Sequence, residues 1–175
     1  MSRMLCKCGA TMGTSISPSP YSVSVYYDRE VLSAIEDNPR ILLSDFLTDW
    51  DAVNGAQKSF MKRAEPVEYW YCTECHRVYE TQMRSCGHWL RVYRRTESQL
   101  LNTEHQQWTR IYVFPERETD VILESEPELL LADYIRMHAQ THYCLSPEER
   151  MVVALDGEGN LECLYIQEEA EAAKE

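Results

Sequence analysis

The sequence of 175 residues contains no apolar run long enough to cross a bilayer. Its first residues, Met1 to Thr14, also lack the continuous apolar segment that a secretory signal carries. We therefore expect a cytoplasmic protein. Hydrophobic residues make up 44% of the chain and charged residues 26%, a balance typical of a globular domain that buries its core without disulfides.

Basic residues are scarce. The chain has 17 Lys and Arg residues against 29 Asp and Glu residues, which gives a formal net charge of −12. Most of the affinity for nucleic acid comes from neutralising phosphates, so this balance disfavours nucleic-acid binding as the main function. The acidity is concentrated in residues 96–175, whereas residues 66–95 are mildly basic. The charge therefore favours a basic protein as the partner.

Signatures of enzyme families are absent from the sequence. It contains no glycine-rich phosphate loop, no His-Glu-x-x-His helix, no Gly-x-Ser-x-Gly elbow and no Pro-Cys-x-x-Cys element of a base deaminase. It also shows no internal repeat and no long low-complexity linker. These absences favour a non-catalytic protein.

Cysteine, in contrast, occurs in two close pairs. The stretch "LCKCG" contains Cys6 and Cys8, and "YWYCTECHRVY" contains Cys72 and Cys75. The total of seven cysteines is odd, and thiols stay reduced in the cytoplasm, so metal binding is favoured over disulfides. Zinc prefers four tetrahedral donors, which two tight turns can supply. The sequence predicts one structural Zn²⁺ per chain, bound by Cys6, Cys8, Cys72 and Cys75.

A four-thiolate site carries two negative charges and has no open position for water, so we expect no catalysis at this metal. Basic residues near the cysteines in sequence could offset the charge: Arg3, Lys7, His76 and Arg77. A rival site would combine Cys72 and Cys75 with Cys86 and His88. That rival leaves the Cys-Lys-Cys-Gly turn unexplained.

The hydrophobic pattern predicts strands and helices in the first part of the chain. "YSVSVYYD" alternates as a strand does, and "DREVLSAIEDN" and "SDFLTDWDAVNGAQKSFMKRA" have helical spacing, with Asp28 and Ser44 as candidate caps. The short segments "VEYWYC", "HRVYETQ" and "HWLRVYRR" indicate a small antiparallel sheet.

Beyond Thr96 the pattern predicts a strand, a helix and a hairpin. The strand "WTRIYVF" ends at Pro115, and the helix "SEPELLLADYIRMHAQ" begins at Ser125 with Pro127 in its first turn. The Asp and Gly residues of "DGEGN" join "MVVAL" to "LECLYI" as a hairpin.

The two cysteine turns resemble those of zinc-ribbon proteins, in particular small bacterial proteins with an N-terminal Cys-x-Cys-Gly knuckle and a distant Cys-x-x-Cys knuckle. The resemblance covers about residues 1–95 and implies a structural metal and a recognition surface. We therefore predict an α+β fold in two parts. Residues 1–95 form a small antiparallel zinc-ribbon sheet with a helical insertion at about 14–65, and residues 96–175 form an acidic α+β region packed on it and ending in a β-hairpin.

These observations predict a non-catalytic interaction or regulatory protein with a structural metal, such as an acidic inhibitor or an immunity-like protein for a basic partner. The alternative is nucleic-acid binding through the basic aromatic strand 88–95. Alternation there places four basic and aromatic side chains on one face: Trp89, Arg91, Tyr93 and Arg95. In a competing interpretation, these arginines pair with the acidic region instead.

Overall fold

The computed structural model of the chain describes residues 3–13, 15–48, 67–81, 89–96, 107–138 and 141–168. Its strands are β1 (Arg3–Leu5), β2 (Thr11–Gly13), β3 (Ser22–Tyr27), β4 (Val67–Tyr71), β5 (Val78–Thr81), β6 (Trp89–Thr96), β7 (Thr109–Pro115), β8 (His142–Leu145), β9 (Met151–Leu155) and β10 (Leu161–Gln167). Its helices are α1 (Asp28–Asp37), α2 (Leu43–Thr48), α3 (Glu116–Ser125) and α4 (Leu131–Met137). The described helices are all too short and too polar to traverse a bilayer.

Eight strands close into an antiparallel barrel in the order β10-β6-β5-β4-β3-β7-β8-β9. Strands β3 to β6 form one meander and strands β7 to β10 form another. The meanders join twice, through β3 with β7 and through β6 with β10. Closure pairs every barrel strand on both edges, which removes the exposed edges that an open sheet would carry.

The two halves of the barrel repeat the same element order. A strand is followed by two helices and then by three strands, once as β3-α1-α2-β4-β5-β6 and once as β7-α3-α4-β8-β9-β10. Equivalent positions pair with each other where the halves meet. Val25 lies opposite Val113, and Leu42 forms a β-bridge with Leu130. The halves are therefore related by an approximate two-fold axis, and the prediction that the chain contains no internal repeat is wrong.

The repeat also left a trace in the sequence. The segment "NPRILLSDF", which begins at Asn38, aligns with "EPELLLADY", which begins at Glu126, and both cover the turn into the second helix. The last strand pair of each half also has a register shift at the equivalent place, between Glu80 and Thr81 in one and between Leu161 and Cys163 in the other.

The four helices cover the outer face of β3 and β7. Tyr26 and Phe114 occupy equivalent positions on these strands, and their ring centroids are 5.4 Å apart. Phe46 of α2 and Tyr134 of α4 pack on them from above. The apolar spacing seen in the sequence thus belongs to helices that bury one face against a barrel wall.

A separate two-stranded sheet, β1 with β2, covers a second part of the barrel wall. Its Met4 and Met12 pack on the outward side chains Trp70, Tyr79 and Val92 of three neighbouring strands. The equivalent wall in the other half has its own cluster around Val153 and Leu164, with Trp108 against it. The N-terminal hairpin is thus an addition to the first half of the barrel.

The predicted fold class is wrong. The strands predicted to form a small zinc-ribbon sheet are β4, β5 and β6 of the barrel, and the helical insertion expected over 14–65 contains β3 before α1 and α2. The physical reason is burial on both faces, since Trp70 faces the β1–β2 hairpin while its neighbours Tyr69 and Tyr71 face the barrel interior. Both faces of these strands are therefore covered by elements outside the predicted three-stranded sheet, namely the β1–β2 hairpin and the other strands of the barrel.

Other predictions can be compared element by element. The strand ending at Pro115 and the hairpin of β9 and β10 are confirmed. The helix predicted from Ser125 has the wrong start, because α3 ends at Ser125 and α4, which lies within the predicted segment, begins at Leu131. Of the long helix predicted from Ser44, the structure describes α2, and the rest lies outside the described residues. The boundary predicted between residues 95 and 96 falls at the end of β6.

Candidate functional site

The structure brings together the four cysteines that the sequence singled out. The sulfur atoms of Cys6, Cys8, Cys72 and Cys75 all lie within 4.8 Å of one another. Cys6 Sγ is 3.4 Å from Cys75 Sγ, and Cys8 Sγ is 3.8 Å from Cys72 Sγ. A tetrahedral site with metal–sulfur bonds of about 2.3 Å has sulfur–sulfur edges of about 3.8 Å, whereas a disulfide bond is about 2.05 Å long. The cluster therefore fits a metal ion.

The first pair of ligands lies in the turn between β1 and β2. Cys6 donates its backbone N–H to the Ala10 carbonyl at 2.8 Å and accepts from the Gly9 N–H at 2.8 Å. Gly9 has φ of +94°, a conformation that favours glycine because it has no Cβ. The turn therefore depends on the glycine that follows Cys8.

The second pair lies in the turn between β4 and β5, and it is built in the same way. The Cys72 N–H donates to the Arg77 carbonyl and the His76 N–H donates to the Cys72 carbonyl, each at 2.9 Å. His76 has φ of +60°, and its Nδ1 contacts the Tyr71 hydroxyl. Within this turn Cys72 is buried, whereas Cys75 is half-buried.

Polar side chains hydrogen-bond to the sulfurs and to the backbone beside them. The Tyr79 hydroxyl donates to Cys6 Sγ at 3.1 Å and accepts from the Lys7 N–H at 2.8 Å. Arg77 Nη1 lies 3.5 Å from Cys75 Sγ, and its Nε donates to Glu168 Oε1 at 2.7 Å. Metal sites in proteins commonly depend on such outer hydrogen bonds.

The sequence interpretation foresaw part of this surrounding shell. Of the four basic residues expected to offset the thiolate charge, Arg77 lies 3.5 Å from a sulfur through Nη1, whereas the Lys7 ammonium pairs with Glu168 at 2.8 Å. Tyr79 and Glu168 were missed. Tyr79 could have been noticed as the aromatic residue four positions after Cys75. No local signal links Glu168, near the end of the chain, to this site.

The thiols differ in their readiness to ionise. Burial raises the pKa of Cys6 to about 12, although the Cys8 backbone and the Tyr79 hydroxyl hydrogen-bond to it. Burial also acts on Cys75, but hydrogen bonds from the backbone and guanidinium of Arg77 outweigh it and lower the pKa to about 7. Since metals bind thiolates, ion uptake here releases protons.

The second half of the barrel has an equivalent turn without thiols. Ser146 occupies the position of Cys72, and its Oγ accepts from the N–H groups of Arg150 and Met151 at 3.1 and 3.0 Å. Glu149, with φ of +56°, follows in place of the second cysteine. Among the described residues, the ligand set is therefore confined to the first half and the added hairpin.

Glu149, in the turn between β8 and β9, bridges side chains of β3 and β6 at one end of the barrel. Its carboxylate contacts the Arg91 guanidinium and accepts from the Tyr27 hydroxyl at 3.1 Å, and its carbonyl accepts from the Tyr93 hydroxyl at 2.9 Å. The basic aromatic face predicted on strand 88–95 thus has Arg91 and Tyr93 turned into the barrel, while Arg94 and Arg95 are exposed.

The rival ligands Cys86 and His88 lie outside the described residues, and so does the side chain of Trp89. Cys144 and Cys163 are half-buried and far along the chain from the cluster. The geometry of the described residues supports Cys6, Cys8, Cys72 and Cys75 as the ligand set.

Fold and site together define an eight-stranded barrel of two repeated halves with a four-cysteine centre on its wall. The family model described as Domain of unknown function (DUF8617) matches residues 2–97. The match covers more than half of the chain, and the chain belongs to this family. It contains all four cysteines and the first half of the barrel. No curated protein and no solved structure matches the chain at a significant level.

Proposed function

We propose that the protein is a non-catalytic binding protein in which one structural Zn²⁺ fastens the N-terminal hairpin to the barrel. The observation that carries this proposal is the origin of the ligands, since Cys6 and Cys8 come from the hairpin and Cys72 and Cys75 from the barrel. A tetrahedral set of four thiolates is typical of structural zinc. It leaves the metal no open position at which a substrate or water could react.

The metal is tested by elemental analysis of the full chain purified without added metal. We expect about one zinc per chain, and an iron content with visible absorption would instead indicate an iron–sulfur or single-iron centre. The Cys72→Ser variant should lose the metal and melt at a much lower temperature, because structural zinc contributes about 10 kcal/mol or more in zinc-finger peptides.

The matched control for this experiment is Cys144→Ser, which changes a half-buried thiol away from the cluster. It should keep the full zinc content. If the control and Cys72→Ser lose equal amounts of metal, or if the wild-type chain is folded and metal-free, the proposal fails.

A basic protein partner is a second proposal, favoured by one observation. Glu149 and Glu168 form ion pairs, but the exposed carboxylates on α3 and in the loop after it form none with any described residue. These carboxylates are Glu118, Glu124, Glu126 and Glu128. Arg117 is also exposed on α3, but the exposed charge of this surface is predominantly negative, and such charge steers an oppositely charged partner. Arg91, which would serve a nucleic acid, is already engaged by Glu149, so we do not extend the proposal to nucleic acid.

A further inference from the structure

A cavity of about 440 Å³ lies inside the barrel. Aliphatic side chains from both halves line it together with five tyrosines, which are Tyr69, Tyr71, Tyr93, Tyr143 and Tyr165. Three of the aliphatic residues, Val25, Val113 and Val152, lie on β3, β7 and β9. Small-molecule sites commonly enclose about 300–1,000 Å³ within a mostly apolar wall. The cavity has the size and lining of such a site.

The two ends of the barrel differ although the halves repeat. At one end Tyr27 and Arg91 hold Glu149 across the barrel. The equivalent positions at the other end are Pro115 and Cys163, which cannot hold a carboxylate in this way. The lining at that second end comes from Pro20, Thr73 and Glu118, of which Thr73 and Glu118 are exposed. A ligand would therefore enter beside the Cys72 turn.

The charge of the lining has one sign. Glu118 is acidic, and the described lining residues include no Lys, Arg or His. The Glu118 carboxylate also acts on the interior, since burial and then nearby negative groups that include Glu118 raise the pKa of Tyr143. Behind Tyr69 lies Glu80, whose buried Oε2 lacks a hydrogen-bond partner among the described residues and is 3.6 Å from Arg91 Nη1. The charged side chain of the lining, Glu118, would repel an anion. A positive charge outside the lining also acts on the interior, since burial raises the pKa of Tyr71 and Arg95 opposes that effect.

The tyrosines favour a cation for a separate reason. Burial raises the pKa of Tyr69 and Tyr165, so their hydroxyls stay neutral. Neutral tyrosine rings attract cations through the negative potential of the ring face, most strongly where water is excluded. An apolar body with one positive charge therefore matches both the walls and the acidic mouth.

We propose that the barrel cavity binds an apolar organic ammonium ion, with its hydrocarbon body among the tyrosines and valines and its charge beside Glu118. The four cysteines do not line the cavity, although Thr73 of the Cys72 turn does, and the proposal does not depend on the proposed basic protein partner.

The test is isothermal titration calorimetry on the zinc-loaded full chain with three matched probes. These are phenylpropyltrimethylammonium, its uncharged isostere with a tert-butyl group in place of the ammonium, and the anion phenylbutyrate. We expect the cation to bind at least about tenfold more tightly than the isostere and the anion not to bind. Equal binding of cation and isostere, binding of the anion, or no binding of the cation would each overturn the proposal.

Two variants locate the binding. Glu118→Gln should weaken the cation about twofold to fivefold, as expected for one exposed opposite charge, and leave the isostere unchanged. Glu124→Gln, which removes an exposed charge from the same helix outside the cavity, is the control and should change neither. An equal effect of both variants would place the cation on the outer acidic surface and contradict the proposal.

Val152→Phe should fill the cavity and weaken the cation at least about tenfold. Its control is Val121→Phe at a position that is 59% exposed on α3. Melting temperature and zinc content of each variant report whether it has folded. If Val152→Phe does not fold, the Glu118→Gln comparison still decides the outcome.

Discussion

At the scale of single residues, Tyr79 of β5 joins the barrel wall to the first cysteine turn. Its buried hydroxyl donates to Cys6 Sγ and accepts from the Lys7 backbone. Tyr79→Phe should keep one zinc per chain but weaken its binding about 10-fold to 100-fold, as loss of an outer hydrogen bond to a metal ligand commonly does. Competition with a chromogenic chelator measures this affinity.

The control for Tyr79 is Tyr112→Phe, a half-buried tyrosine of β7 that packs with the helices and contacts neither cysteine turn. It should leave the zinc affinity unchanged. An unaltered affinity in Tyr79→Phe would show that the hydroxyl does not influence the metal.

Glu149 makes a second prediction at this scale. The hydrogen bond from Arg91, followed by that from Tyr27, lowers the pKa of the Glu149 carboxyl. A lowered folded-state pKa stabilises the fold above the unfolded value of about 4.3, and this contribution is lost as the pH falls through the folded-state value. The side chains of Arg91 and Glu149 are 34% and 38% exposed, so solvent screens the ion pair. We therefore expect it to contribute about 1 kcal/mol to the free energy of unfolding at pH 7.

The measurement compares Glu149→Gln with the wild type by urea unfolding at several pH values. The difference in unfolding free energy should be largest near pH 7 and shrink below about pH 4.3. Loss of metal in acid affects both proteins alike and cancels in the difference. A difference that stays constant with pH would contradict the role assigned to the carboxylate.

At the scale of elements, we expect the proposed metal and the β1–β2 hairpin to act as one unit. The hairpin strands have three residues each, far too few to be stable alone. Removing the metal with a chelator should therefore free the hairpin and expose the wall around Trp70. Hydrogen exchange should speed up first in residues 3–13 and in β4 and β5, while β8 to β10 keep their protection because Trp108 covers that wall.

The internal control for this experiment is the repeat itself, since the second half has equivalent strands and, among its described residues, no four-cysteine cluster. Equal acceleration of exchange in both halves would mean that the metal supports the whole barrel rather than the hairpin.

At the scale of the whole molecule, the charge of −12 is the dominant surface property. Reversing two exposed carboxylates, Glu124→Lys with Glu126→Lys, should slow association with a basic partner about tenfold at low salt and much less at high salt, because surface charges act mainly on the encounter rate. Zinc content and melting temperature should not change. The partner is first identified by pull-down from the native host, and stopped-flow mixing then measures the rates.

A matched double change at acidic residues of the barrel end, Glu158→Lys with Glu162→Lys, has the same effect on net charge. It should slow association less if the helical surface is the contact. Equal slowing would assign the effect to net charge alone, and no slowing in either variant would contradict a basic partner.

What the sequence determined by itself is local. The cysteine pairs, the glycine that the first turn requires, the strand ending at Pro115 and the β9–β10 hairpin all follow from neighbouring residues. At Gly159 of that hairpin φ is +86°, as its turn sequence indicates. Such features need no knowledge of distant partners.

The tertiary structure alone decided how the strands close. The pairings of β3 with β7 and of β6 with β10 join segments from opposite halves of the chain, and alternating apolar residues do not specify which distant strand becomes the neighbour. The same closure brings Glu168 to Arg77 and encloses the cavity that Tyr69 and Tyr143 share. Local spacing placed two thiols in each turn, but only packing of the hairpin on the barrel brought all four sulfurs together.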